Sequence, residues 1–98
     1  MANVLSIGLF DKDTCKQEIT QEKVVEIISK YMDATIQETV GIYTHNDGRK
    51  IIEPSLQVVN YDLTIEECRK ICVKLCKELN QETIILSQQE IQAEFISA

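Results

Sequence analysis

The stretch that decides the fold is residues 35–61, TIQETVGIYTHNDGRKIIEPSLQVVNY. Side chains alternate faces along a strand, so a period of two in the apolar residues marks a sheet with one face buried. Over residues 35–45, Ile36, Val40 and Ile42 share one parity. Thr35, Gln37, Thr39, Gly41, Tyr43 and His45 share the other. Asn46-Asp47-Gly48 is a hairpin turn, because glycine accepts positive φ and Asn or Asp tolerates it. Residues 50–61 form the return strand, with Ile52, Leu56 and Val58 on one parity and Ile51, Glu53, Ser55, Gln57, Val59 and Tyr61 on the other. Pro54 lacks an amide donor and predicts a bulge or an edge position.

Outside the hairpin the spacing becomes helical. Thr20 is an N-cap, Glu22 adds negative charge to the first turn, and Val24, Ile27, Ile28 and Tyr31 line one face of a helix over 21–32. Thr64 and Glu67 form a capping box, followed by Ile65, Cys68, Ile71, Cys72, Leu75 and Leu79 on a second helical face. Asn80 suits the residue after that helix. At the start, residues 3–10 are apolar on both parities, as in a central strand, and Asp11-Lys12-Asp13-Thr14 is a turn cluster. Thr83 to Leu86 is a fourth strand, and the alternating tail, residues 89–98, reads as one more extended segment.

The order is therefore β-α-β-β-α-β with a C-terminal extension. This predicts an α+β, ferredoxin-like domain spanning 1–98, its core at about 3–86, with two helices on one face of a four-stranded antiparallel sheet. Ile36, Val40, Ile42, Ile52, Leu56 and Val58 are expected to point under the helices. The opposite face is expected to be open. It mixes Tyr43, Ile51, Val59 and Tyr61 with short hydrogen-bonding side chains, the composition of a surface that pairs with another subunit or closes over a ligand.

Composition narrows the function. Sixteen acidic against 10 basic residues give a net charge of −6, which opposes nucleic-acid binding because phosphate contacts need clustered Lys and Arg. No apolar run approaches the roughly 18 residues of a membrane span. The first residues carry neither a basic n-region nor a signal-peptidase site, so a cytoplasmic protein with reduced thiols is expected. Cys68, Cys72 and Cys76 recur every fourth residue and fit the inner stripe of a helix better than a zinc site, which favours close cysteine pairs from two segments. Asp11 and Asp13 do not begin a calcium loop, since Cys15 and Lys16 occupy positions that need a ligand and a glycine. The three scattered glycines form no phosphate loop. No cofactor or metal is expected.

The candidate binding residues are Tyr43, His45, Arg49, Glu53, Ser55, Gln57 and Tyr61. Glu53 and Ser55 stand two residues apart on one strand face and could share a hydrogen-bond network under a ligand. Equally, Glu53 could order the hairpin through Arg49 or a cross-strand threonine. His45, the single imidazole, falls at the hairpin tip.

Several short motifs, in this order, resemble an uncharacterised family of small bacterial and phage-borne domains. They are Gly8-Leu9-Phe10, Asp33-Ala34-Thr35-Ile36, Gly41-Ile42-Tyr43, Asp47-Gly48, Glu53-Pro54-Ser55-Leu56 and Asn80-Gln81-Glu82-Thr83, over roughly residues 5–86. The resemblance implies the same fold, draws notice to Glu53, Ser55, Gln81 and Glu82, and implies no activity. The functional expectation is a small, oligomeric, non-enzymatic interaction protein, such as a phage-encoded inhibitor of a host defence system working through its open face. The alternative is a binder of a small nucleotide-like ligand in a pocket at a subunit interface, with Arg49 or Lys50 for a charged group. A third reading is an enzyme using Glu53 or His45.

Overall fold

A computed structural model describes residues 1–98. The elements are β1 (Ala2–Gly8), α1 (Gln21–Ser29), β2 (Thr35–Thr44), β3 (Lys50–Asn60), α2 (Ile65–Glu78) and β4 (Ile85–Gln89). They form one antiparallel sheet of order β2-β3-β1-β4, the ferredoxin-like arrangement. β1 lies between β3 and β4, and its residues from Ala2 to Leu5 are all buried, as an apolar run on both parities requires.

Each helix starts where its cap predicts. The Thr20 side chain accepts from the Lys23 amide at 3.2 Å. The Thr64 box closes in both directions, Glu67 N–H to Thr64 Oγ1 and Thr64 N–H to Glu67 Oε1, each 3.1 Å. Such caps stabilise a helix by about 1 kcal/mol each. The core joins Leu5, Ile7, Leu56 and Val58 of the sheet to Val24, Ile27 and Ile28 of α1 and to Cys72 and Leu75 of α2. Both helices therefore cover the same face. Burying one of these Leu or Ile side chains contributes about 1.5–3 kcal/mol. Cys68 and Cys72 are buried within this layer, and burial pushes the Cys72 thiol up to about 11.

Four expectations are corrected. First, Ile36, Leu56 and Val58 do lie beneath the helices, but Val40, Ile42 and Ile52, on the same face, stay 69, 69 and 63% exposed. The hairpin of 10 and 11 residues outruns a seven-residue β1, and the helices end with the core it shares. Second, the fourth strand begins two residues later and runs to Gln89, where its partner is Ala2. Beyond Gln89 no β1 residue remains to pair with, so the tail forms no strand. Third, α1 ends at Ser29, with Tyr31 and Met32 held by bonds of their amides to the Ile28 carbonyl. Fourth, β1 ends at Gly8 rather than at 10.

Pro54 sits in an unbroken β3, opposite Val40 of β2. Its carbonyl accepts from the Leu9 amide at 2.9 Å, which places its donorless nitrogen on the side where β1 has just ended. The position is locally an edge, where proline is tolerated.

The candidate ligand cavity on the open face

Where β1 stops and the hairpin continues, the open face is hollow. The cavity has a volume of about 390 Å³ and is lined by three groups of residues. Gly41, Tyr43, His45, Glu53 and Ser55 come from the hairpin, with Ser6 and Gly8 beside them on β1. Phe10, Asp11, Lys12 and Cys15 come from the loop after β1. Gln81, Glu82, Thr83 and Ile85 come from the corner between α2 and β4. The volume lies within the roughly 300–1,000 Å³ of small-ligand sites.

Two glycines make the room. A Cβ on Gly8 would overlap the Glu53 carboxylate, and one on Gly41 would stand 2.8 Å from Ser55 Oγ. Glu53 therefore lies flat across Gly8. Its Oε2 accepts from the Phe10 amide at 3.0 Å, while Gln81 Nε2 donates to the Phe10 carbonyl at 2.6 Å. Three carboxylates, Asp11, Glu53 and Glu82, line the cavity against one lysine, Lys12. Burial raises the Tyr43 phenol above its ordinary value of 10.0, and the charges of Glu53, Cys15 and Glu82 add to the rise. Tyr43 thus holds its proton and presents a hydroxyl donor at neutral pH.

Tyr43, His45, Glu53 and Ser55 of the sequence candidates come together here. Ser55 donates to the Glu53 backbone carbonyl at 3.4 Å rather than to the carboxylate. Neither does Glu53 order the hairpin through Arg49, whose Nε binds Asp47 at 2.6 Å on the exposed turn. His45 Nδ1 stands 3.5 Å from Asp47 Oδ1 without a hydrogen bond. Gln57 and Tyr61 do not line the cavity: Gln57 stands beside the lining residue Ser6, and Tyr61 packs edge-on against Phe95 of the tail, ring centroids 6.2 Å apart. Ser6, Gly8, Phe10, Asp11, Lys12, Cys15, Thr83 and Ile85 were not sequence candidates. For Ser6 and Gly8 a signal exists: small residues on the open parity of β1, next to Gln57 and Ser55 of β3. The loop residues carry none, because only the folded crossovers bring them near.

No helix is long and apolar enough to cross a membrane. No protein-family model matches the sequence, and no curated protein matches it either. Among solved structures the chain is similar to a phage SAM (S-adenosylmethionine) lyase in its apo state. The TM-score is 0.62, over 98% of this chain and 91% of that one, at 23% identity. The two chains share a fold over nearly their whole length, and the neighbour is an enzyme from a phage.

Proposed function

We propose that this protein binds S-adenosylmethionine in the open-face cavity and cleaves it as a lyase. The observation that carries this reading is the Glu53 carboxylate, seated on Gly8 and held by the Phe10 amide inside a cavity of ligand size. S-adenosylmethionine carries two cations, a sulfonium and an ammonium, and one carboxylate. A lining of three carboxylates and one lysine complements that balance. The enzyme-like fold neighbour suggests the ligand; the reading of the residues as a nucleotide-like site agrees with it.

A lyase breaks a carbon–sulfur bond of the sulfonium without water. The ligand's own carboxylate attacks its γ carbon and closes a lactone as the carbon–sulfur bond breaks; the sulfur keeps the bonding pair and leaves as a neutral thioether. Positive charge on sulfur is therefore lost in the transition state, and a carboxylate placed against it would favour the bound substrate over the transition state. Glu53 is better used on the ammonium group, whose charge does not change. Oε2 is already occupied by Phe10, so Oε1 is the oxygen that meets the ligand. The Tyr43 hydroxyl and Lys12 then hold one oxygen of the ligand carboxylate and leave the other free to attack. Catalysis on this account is mainly orientation of a substrate that contains its own leaving group.

Incubation with S-adenosylmethionine, followed by chromatography and mass detection, tests the reading. The substrate should disappear with the matching appearance of a thioether nucleoside. Glu53→Gln should raise KM about tenfold and leave kcat nearly unchanged, as the loss of an interaction made equally in substrate and transition state does. An unchanged substrate after prolonged incubation with wild-type protein would refute it.

A second reading concerns partners. Val40, Ile42 and Ile52 stay exposed side by side on one face of the hairpin, more apolar surface than scattered single residues explain. Self-association is the simplest use of it, and the negative charge would also suit a basic partner, as an inhibitor of a host defence system would need. Sedimentation of the full chain as a strict monomer at micromolar concentration would count against self-association.

A further inference from the structure

We infer that Gln81 is a positioning residue that sets the orientation of the Glu53 carboxylate through the Phe10 peptide; its functional consequence rests on the ligand reading above. Gln81 follows Asn80, whose left-handed backbone (φ 48°) ends α2 and turns the chain toward β1. The corner is fixed to its helix, with the Gln81 amide bonded to the Cys76 carbonyl at 2.9 Å. From this anchored base the Gln81 side chain donates to the Phe10 carbonyl at 2.6 Å, and Phe10 in turn donates its amide to Glu53 Oε2 at 3.0 Å.

The neighbouring bonds show what the corner does. Asn80 Nδ2 donates to Asp11 Oδ2 at 2.8 Å and to Asp13 Oδ2 at 2.9 Å, and its carbonyl accepts from the Lys12 amide at 3.0 Å. Asn80 thus fastens residues 11–13, and Gln81 alone reaches Phe10. Without Gln81, Phe10 lies beyond the end of β1 with its carbonyl unpaired, and its amide is free to leave the carboxylate. Glu53 has no other donor on the protein, and Gly8 beneath it supplies space but no restraint. The seat of Glu53 is therefore built by Phe10 and Gln81, which lie 71 residues apart in the chain. A side chain with the reach of glutamine and a terminal N–H donor is required; Asn is a methylene short, and Glu would set an acceptor against an acceptor.

The test uses the full chain, labelled with ¹⁵N, and the variant Gln81→Met, which keeps the length and removes the donor. Exchange of the Phe10 amide with solvent should accelerate about tenfold, the equivalent of one weakened hydrogen bond. The dissociation constant for a non-cleavable analogue of S-adenosylmethionine should rise about five- to tenfold in the wild-type background and less than twofold when Glu53→Gln is already present, since coupled residues are not additive. Equal losses in both backgrounds, or an undisturbed Phe10 amide, would overturn the inference. If Gln81→Met does not fold, Asn80→Gly decides. It keeps the left-handed turn, loosens residues 11–13, and should leave the Phe10 amide protected if Gln81 is the residue that holds it; an exposed Phe10 amide would overturn the assignment. If the wild-type protein does not bind S-adenosylmethionine, the proposed function falls, while the Phe10 amide still decides whether Gln81 positions Glu53.

Discussion

The two ends of the sheet use similar polar side chains to opposite ends. At one end Asn3 and Asn60 are paired across β1 and β3 and are each 1% exposed. Asn60 Oδ1 accepts from Asn3 Nδ2 and from the Leu63 amide, and Asn60 Nδ2 donates to the Asp33 carbonyl and to Asp62. Asn3 also donates to the Leu63 carbonyl and accepts from Gln88. Donors and acceptors are matched within the protein, and the chain segments entering β2 and α2 are tied to the sheet. At the other end Glu53 accepts one bond from Phe10 on one oxygen and faces a cavity. A buried polar group that the protein satisfies holds structure together, whereas one left partly unsatisfied beside open space is available to a ligand.

The largest effect that separates the two ends is on stability. Asn60→Ala leaves the Leu63 amide and the Asp33 carbonyl without partners and should cost about 3 kcal/mol in chemical denaturation, at about 1–3 kcal/mol for each orphaned group. Ligand affinity should scarcely change in the folded fraction; a parallel loss of affinity would mean that the two ends are not separate. Gly8→Ala is the mirror experiment. The added methyl displaces the Glu53 carboxylate, so affinity for S-adenosylmethionine should fall about tenfold, about 1.4 kcal/mol, with a melting point close to wild type. Phe95→Ala removes the edge contact with Tyr61 and should cost about 0.5–1 kcal/mol without altering the cavity.

Acid gives the smallest and most local effect. The bond from Asn80, then the Asp13 amide, hold the Asp11 carboxyl below its ordinary value of 3.8. A lowered value means that the folded state takes up its proton later than the unfolded state. The contribution of Asp11 is therefore present above about pH 3.8 and fades as pH falls further, through the folded value. Amide exchange over residues 11–14 should rise in that window before the Asn3–Asn60 end responds. Simultaneous opening of both ends would contradict the separation.

Much of the fold was legible in the sequence, whereas the Asn3–Asn60 pair was not, and the missing parts have physical causes. Thr20, Thr64 and Glu67 announce the helix starts, and Asn46-Asp47-Gly48 the turn, because caps and turns are settled by a few adjacent residues. Parity put Tyr43, Glu53 and Ser55 on one face. It could not say that β1 stops at Gly8, and that stop is what exposes Val40, Ile42 and Ile52 on one side and opens the cavity on the other. Arg49, Gln57 and Tyr61 share the chemistry of binding residues but lie at the turn, just beyond the cavity beside Ser6, and against the tail. Phe10 and Lys12 enter the cavity through a loop, where no periodicity reports direction. Gln81 and Glu82 stood out through resemblance alone.

The most direct measurement is a crystal structure of the protein grown with a non-cleavable analogue of S-adenosylmethionine that carries carbon in place of the sulfonium sulfur and keeps the ammonium and carboxylate groups. The account predicts ligand density in the open-face cavity, with its amino nitrogen within hydrogen-bond distance of Glu53 Oε1 and the Phe10 amide still on Oε2. An empty cavity at saturating ligand, or a ligand bound elsewhere with Glu53 untouched, would contradict it.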